Sequence, residues 1–347
     1  MPVPGTPPST VHRNGAADER KADPMSRITR VGVMTTSAMA ALALAACSSS
    51  GGKQTDSGGD SAGGKADTPE MTVALVTHAA PGDTFWDQVR AGAEDAAKKD
   101  NIKLEYTADP DGARQATLVQ QAVDKKVDGI AVTLAKPEAM KGNVENAVGA
   151  DIPVVALNAG MEDWKDMGVL SFFGQDDELA GEAAGERLTE EKAGKTLCVI
   201  QEQGHVGLEA RCKGVASTFD KSEKIYVKGT DTADVQSTIT AKLQDDTAIT
   251  HVLTLGAPFA LIAQKSVGEA GSKAKVATFD LNDEALQQIK DGKIEWAVDQ
   301  QPYVQGYMAV DALWLRANKG ASVGGGQPTF TGPAFVDDKN VDLLLKK

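Results

Sequence analysis

This 347-residue sequence has few cysteine, histidine, aromatic and basic residues. The 3 cysteines and 4 histidines are scattered without the spacing of zinc ligands, which argues against a metal centre. Lysine and arginine number 36 against 49 acidic residues, and the net charge of -13 offers no basic face to a nucleic acid. There is no P-loop, no H-E-x-x-H motif and no G-x-S-x-G elbow between a predicted strand and helix. We therefore expect no catalytic residue, no cofactor, no metal and no nucleic-acid partner.

The remaining composition is that of an ordinary globular protein. Apolar residues make up 41% of the chain and charged residues 24%, which excludes a mainly disordered chain, a fibre or a polytopic membrane protein. The length exceeds that at which one hydrophobic core usually stops growing, so two lobes are expected.

The first 46 residues have the pattern of an export leader. A short basic segment at 25–30 precedes an apolar run at 31–46 that is too short to span a bilayer as a mature helix. The end of this run resembles the lipobox of bacterial lipoproteins, which implies a lipidated Cys47 and anchoring to the outer face of the cell membrane. An ordinary cleaved signal is the alternative. We expect translation to begin at Met25.

Glycine and serine dominate the segment after Cys47. Residues 48–70 contain six Gly and five Ser, a composition that forms flexible linkers rather than packed structure. We therefore predict a lipidated Cys47 and a tether over 47–70, with the folded body beginning at residue 71.

From residue 71 onward, short β-branched runs alternate with longer helical patterns. The first half predicts strands at 72–77, 103–107, 129–134 and 153–157, with helices at 85–99, 113–126 and 137–148. The second half predicts strands at 196–201, 224–228, 251–255, 275–279 and 295–298, with helices at 208–219, 233–243, 258–270 and 303–318. Strands separated by such helices must run parallel through right-handed crossovers. The predicted fold is α/β, with two doubly wound parallel-sheet lobes.

Polar and aromatic residues follow the predicted strands, at the edge where open α/β sheets bind ligands. They are Asp83, Phe85, Trp86, Asn158, His205, Arg211, Asp280 and Gln300. Their polar groups supply donors and acceptors for vicinal hydroxyls, and the aromatic faces suit the C–H surface of a sugar ring. Asp and Asn are also common helix caps at such junctions, and this alternative remains open.

Residues 71–347 resemble the type 1 periplasmic sugar-binding proteins, whose familiar members bind ribose or glucose and galactose. Six segments carry the resemblance by their order and spacing. They are Asp83-Thr84-Phe85-Trp86, 153–158 (PVVALN), Gly174-Gln175-Asp176, 205–211 (HVGLEAR), Ala277-Thr278-Phe279-Asp280 and Asp299-Gln300-Gln301-Pro302.

The resemblance implies a role for each matching residue. Hydrogen bonds to the sugar would come from Asp83, Asn158, Arg211, Asp280 and Gln300. Either Phe85 or Trp86 would stack on one face of the ring, and His205 matches a binding-site histidine of the glucose/galactose branch.

The resemblance also implies how the lobes are built and used. One lobe would comprise 71–174 and about 302–328, and the other 175–301 and about 329–347, joined by a multi-strand hinge near Gly174 and Pro302. A monomer would capture a monosaccharide or related polyol between the lobes and deliver it to an ABC permease.

Several positions depart from the family pattern and leave the ligand's identity open. Asn158-Ala159 replaces an Asp-Arg pair, Gly207 replaces a ligating Asp, and Gly256 replaces an Asn. The second stacking aromatic is missing near Thr232, where Phe259 is either its replacement or a core residue of its helix. The alternative function is a lipoprotein that binds a non-sugar molecule, such as a nucleoside or a signalling furanose, for uptake or sensing.

Cys198 and Cys212 remain once Cys47 is assigned, an even number in an exported chain. One falls in a predicted strand and the other in the following helix, so they can meet at disulfide distance. Two buried free thiols are the alternative.

Overall fold

The computed structural model describes residues 64–345. The predictions for the leader, for Cys47 and for residues 48–63 of the tether lie outside the described residues. The strands are β1 Met71–Thr77, β2 Ile102–Ala108, β3 Gly129–Thr133, β4 Val154–Asn158, β5 Phe172–Gly174, β6 Lys195–Ile200, β7 Ser222–Tyr226, β8 Ile249–Thr254, β9 Lys275–Phe279, β10 Trp296–Asp299, β11 Thr329–Phe330 and β12 Ala334–Asp337. The helices are α1 Phe85–Lys99, α2 Gly112–Asp124, α3 Pro137–Gly149, α4 Asp177–Glu190, α5 Val206–Thr218, α6 Thr232–Asp245, α7 Ala257–Glu269, α8 Asp283–Lys290 and α9 Pro302–Lys319. No helix within 64–345 is long and apolar enough to cross a membrane.

The strands form two six-stranded sheets, one in each lobe. Their orders are β11-β5-β4-β3-β1-β2 and β12-β10-β9-β8-β6-β7, and only the β10–β12 pair is antiparallel. Each sheet is packed on both faces: Val73 and Leu75 belong to one core cluster, whereas Ala74 and Val76 belong to another. The predicted α/β fold of two doubly wound lobes is confirmed, although β5, β11, β12, α4 and α8 were not predicted from the sequence.

The chain passes between the two sheets at three places. It crosses between β5 and α4, between β10 and α9, and between β11 and β12. The first two crossings lie near Gly174 and Pro302. Strand β11 pairs with β5 of the first sheet, so the third crossing falls at 331–333 instead of near the predicted residue 328.

The end of the predicted tether belongs to the first lobe. The backbone N–H of Ala66 donates to the carbonyl of Lys99 at 2.7 Å. The side chain of Asn101 donates to the carbonyl of Thr68 at 2.6 Å, and the indole of Trp314 donates to the Thr68 hydroxyl at 3.2 Å. The folded body therefore begins before residue 71, the boundary predicted from composition.

Helix α5 is held against its neighbours by a close helix contact and a disulfide. A Cβ added at Gly181 in α4 would lie only 2.1 Å from the carbonyl oxygen of Arg211 in α5, so glycine is required for this approach. Cys198 in β6 is bonded to Cys212 in α5, with their Cα atoms 5.9 Å apart. Both contacts fix the part of α5 that carries Arg211.

Candidate ligand-binding site

A cavity of about 180 Å³ lies between the two lobes at the carboxyl ends of their strands. A cavity of this volume suits a ligand smaller than a typical drug. All nine residues that the sequence predicted as ligand-binding line it: Asp83, Phe85, Trp86, Asn158, His205, Arg211, Phe259, Asp280 and Gln300. Residues distant in sequence meet here because parallel strands end at the same edge of each sheet.

A hydrogen-bonded chain of side chains joins the lobes at the base of the cavity. The Asn158 side-chain amide donates to Oε1 of Gln300 at 3.1 Å. The side-chain amide of Gln300 in turn donates to the Asp280 carboxylate at 2.7 Å. Asn158 and Asp280 both have positive φ, 69° and 65°, a conformation that Asn and Asp adopt more readily than other non-glycine residues. Gln305, which sequence reasoning missed, fixes Gln300 by donating to its Oε1 at 2.9 Å.

The principal partner of Arg211 is Asp177, a residue that the sequence analysis did not single out. Its Nε donates to the carboxylate of Asp177 at 2.8 Å, whereas its Nη1 lies 3.9 Å from Asp280. Arg211 is only 3% exposed, and Asp177, the first residue of α4, is 9% exposed. A Cβ at Gly207 would lie 2.3 Å from Oδ2 of Asp177. Asp177 thus fills the space beside residue 207. This explains why residue 207 is a glycine where the family pattern has a ligating Asp.

Asp83 and Asp280, two of the three acidic residues that line the cavity, differ in their surroundings. Burial raises the pKa of Asp280 to about 7, against the opposing effect of Arg211 and the hydrogen bond from Gln300. Burial also raises the pKa of Asp83. The Asp83 carboxylate accepts the backbone N–H of Phe85 at 3.1 Å, a local contact just before α1, whose N-cap residue is Thr84. Asp280 makes no such contact, because the cap of α8 is Asn282.

Aromatic rings line the cavity from both lobes. Phe85 and Trp86 begin α1, with ring centroids 5.1 Å apart in an edge-to-face arrangement. On the other lobe, a Cβ added at Gly256 or Gly229 would lie 3.1 or 3.2 Å from the ring of Phe259. The Phe259 ring therefore covers the place where a residue 256 side chain would project. It both lines the cavity and packs against the core, so its position is compatible with either alternative raised for Phe259.

Two histidines meet across the cleft. His78, which follows β1 and was not predicted, lies with its Nε2 3.0 Å from Nε2 of His205. His205 caps α5, since its Nδ1 accepts the backbone N–H groups of Gly207 and Leu208 at 3.1 and 3.3 Å. Both ring nitrogens of His205 therefore have protein partners. Burial lowers the pKa of His205 to about 3 and holds that of His78 well below its usual range.

Direct contacts between the lobes surround the cavity, so this is a closed form. Near His78, Lys136 pairs with Glu202 at 2.8 Å, and the backbone N–H of Val206 donates to the carbonyl of Ala135 at 3.0 Å. At the start of α1, Gln88 donates to the carbonyl of Leu281 at 2.9 Å. These contacts would have to break for the lobes to separate.

His78, Glu202 and His205 place possible metal-ligand atoms within 4.8 Å of one another. A histidine that binds a metal through Nε2 carries its proton on Nδ1. Nδ1 of His205 faces two backbone N–H donors, which keep the proton on Nε2 instead. Glu202 is already paired with Lys136. The arrangement does not fit a resident metal ion.

Two doubly wound lobes, three crossings between them and a polar and aromatic cavity at the strand ends define a hinged ligand-binding protein. Residues 73–321 match the family described as "Periplasmic binding protein domain". The chain therefore belongs to the periplasmic binding protein family, and the resemblance seen in the sequence is confirmed.

Named relatives cover most of the chain. The ribose import binding protein RbsB of Bacillus subtilis (strain 168) is 27% identical over 250 residues, which are 70% of this chain and 80% of that protein. The xylitol-binding protein of Mycolicibacterium smegmatis is 26% identical over 341 residues, which are 93% of this chain and 89% of that protein.

Solved structures share the fold. A carbohydrate transporter from Acidothermus cellulolyticus 11B in complex with myo-inositol is 52% identical, with a TM-score of 0.79 over 80% of this chain and 98% of that one. An ABC transporter solute-binding protein from Burkholderia graminis C4D1M in complex with D-arabinose is 22% identical, with a TM-score of 0.70 over 78% of this chain and 96% of that one. The second similarity shows the fold alone.

Proposed function

We propose that this protein captures a monosaccharide or related polyol between its lobes and delivers it, chemically unchanged, to an ABC permease. The observation that carries the proposal is the common cavity of the nine predicted residues, which come from both lobes. The myo-inositol complex of the 52% identical relative and the pentose and pentitol names of other relatives support the same ligand class. Myo-inositol is the first ligand to test.

The cavity offers what a ring of hydroxyls needs. Each hydroxyl both donates and accepts a hydrogen bond, and the cavity supplies fixed donors from Arg211 and acceptors from Asp83 and Asp280. Phe85 and Phe259 present apolar surface from opposite lobes to the C–H groups of the ring. A ligand that contacts both lobes only when they are closed shifts the population toward the closed form. The closed form is then the state that the permease receives.

The location of the protein follows from its N-terminal sequence. We infer that the protein is exported and that Cys47 carries a lipid. The protein is then a monomer held at the outer face of the cell membrane through the segment that follows Cys47. A lipid chain on the thiol supplies membrane affinity that the Gly- and Ser-rich segment cannot.

Thermal unfolding and calorimetry with a panel of ligands test the function. The panel contains myo-inositol, D-ribose, D-arabinose, xylitol and D-glucose, with adenosine as the non-sugar alternative. A true ligand at about 100 times its Kd should stabilise the protein by about 2.7 kcal/mol. Gln300→Ala should weaken binding, whereas Gln287→Ala should not, because Gln287 is hydrogen-bonded to Asp291 outside the cavity. Stabilisation by adenosine alone would favour the non-sugar alternative, and no response to any polyol would contradict the proposal.

A further inference from the structure

The contact between His78 and His205 joins the two lobes through buried imidazole rings. His78 directly follows β1 of the first sheet, and His205 precedes α5 of the second. The two residues are 6% and 5% exposed, and their Nε2 atoms are 3.0 Å apart. The edge of one ring also meets the face of the other, with centroids 4.8 Å apart. This contact exists only when the lobes are closed.

The backbone around His205 determines where each proton lies. Nδ1 of His205 accepts two backbone N–H groups, so its single proton is on Nε2 and is donated to Nε2 of His78. His78 must then carry its own proton on Nδ1, which lies 2.7 Å from the Thr133 hydroxyl. The chain of hydrogen bonds from α5 to β3 therefore requires both rings to be neutral, each in one tautomer.

Neither ring can accept a second proton while the lobes are closed. A proton on Nδ1 of His205 would oppose the backbone N–H groups that cap α5, and a proton on Nε2 of His78 would oppose the Nε2–H of His205. The cations nearest the pair, Lys136 and Arg211, add to this cost. The acidic side chains facing this region are Asp83 and Glu202 in the cavity lining and Asp177 beside Gly207. Two of them already have cationic partners, Glu202 with Lys136 and Asp177 with Arg211.

We propose that His78 and His205 form an interlobe latch that closes only when both imidazoles are neutral, so that ligand affinity falls as the pH becomes acidic. His78 is then a positioning residue that strengthens binding through lobe closure, and His205 acts on His78 rather than on the ligand. The proposal rests on the proposed function, since it concerns closure of the same cleft. It predicts a pH range of tight binding for a protein exposed to the medium outside the cell.

The sign and size of the effect follow from proton linkage. Separation of the lobes would expose both imidazoles, which would then titrate at their ordinary pKa of about 6.5, whereas the closed form excludes the extra proton. Affinity is therefore complete above about pH 6.5 and falls below it, by up to about tenfold per pH unit for each histidine. Between pH 7.5 and 5.5 we expect a loss of about tenfold from each histidine, or about a hundredfold from the pair.

Calorimetric titration of the purified protein from pH 7.5 to 5.5 tests the latch in four variants. His78→Gln removes one titrating ring, and His205→Asn removes the other while keeping a good acceptor at the cap of α5. Over this pH range the affinity of each single variant should fall about tenfold less than that of the wild type. The affinity of the double variant should fall about a hundredfold less. His251→Gln, whose ring lies on β8 outside the cavity, should follow the wild-type profile. Protonation of Asp280 changes ligand affinity in the opposite direction. Asp280 is present in every variant, so its contribution cancels when the variants are compared.

The outcomes separate the latch from the proposed function. If the double variant keeps the full wild-type pH dependence, the latch is refuted while the sugar-binding function stands. If no polyol in the panel binds at pH 7.5, the proposed function fails, and the latch is tested with adenosine, whose affinity should fall on acidification in the wild type but not in the double variant. Equal pH profiles in the two proteins would overturn the latch.

Discussion

Arg211→Ala should weaken both ligand binding and the folded protein, for two separable reasons. The Arg211 and Asp177 side chains are 4% and 10% exposed, and their ion pair has a distance of 2.8 Å. Removing one partner of a buried pair leaves an uncompensated charge and costs about 3–5 kcal/mol of stability. The only other described hydrogen bond to the Asp177 side chain comes from Gln175 at 3.0 Å. We therefore expect the melting temperature to fall by roughly 10 °C.

The effect on binding comes from the other nitrogens of the guanidinium. Nε is occupied by Asp177, while Nη1 makes a 3.5 Å contact with the carbonyl of Leu255 and lies 3.9 Å from Asp280, so donors remain for a ligand. Charged hydrogen bonds contribute about 1.5–3 kcal/mol, which corresponds to roughly 10- to 150-fold in Kd. Calorimetry with the best ligand of the panel measures this loss.

A double variant separates the two effects. Arg211→Met with Asp177→Leu replaces the buried pair by apolar side chains, which is often neutral or stabilising. Its stability should approach that of the wild type, while its affinity stays as low as that of Arg211→Ala. Arg114→Ala removes an exposed arginine paired with Asp109 and should change neither property. Wild-type affinity in the double variant would mean that Arg211 has only a structural role.

Other predictions concern the second lobe and the N-terminus. The raised pKa of Asp280 means that its ionisation costs stability as the pH rises from about 4 to about 7, so Asp280→Asn should melt higher than the wild type at pH 8 but not at pH 4. Replacing Cys198 and Cys212 by Ala should cost about 3 kcal/mol, because the loop spans a separation of 14 residues, and a thiol assay that finds both cysteines free in the native protein would contradict the bond. Cys47→Ser should abolish lipid labelling and release the protein from membranes; continued membrane association would require another anchor. Translation starting at Met25 should suffice for export, and loss of export would give residues 1–24 a role.

The elements that form the lobes could be predicted because their signals are local. Each β-branched run and each helical stripe lies within a few residues of chain, and parallel pairing follows from the length of the helices between them. The same argument placed Asn158 at the carboxyl edge of the first sheet, and Asp280 and Gln300 at the carboxyl edge of the second. The short strand β11, with only two residues, gave no such signal, and the third crossing was therefore misplaced.

Side-chain partners across the cleft were decided by the tertiary structure. The sequence placed Arg211 at the site, but its pairing with Asp177 depends on the close approach of α4 to α5, which Gly181 permits. His78 and His205 are 127 residues apart, and neither helical nor strand periodicity relates them. Their contact exists only because the hinge brings the two lobes together. Local patterns specify which residues reach the cleft, whereas the relative position of the lobes specifies which of them bind one another.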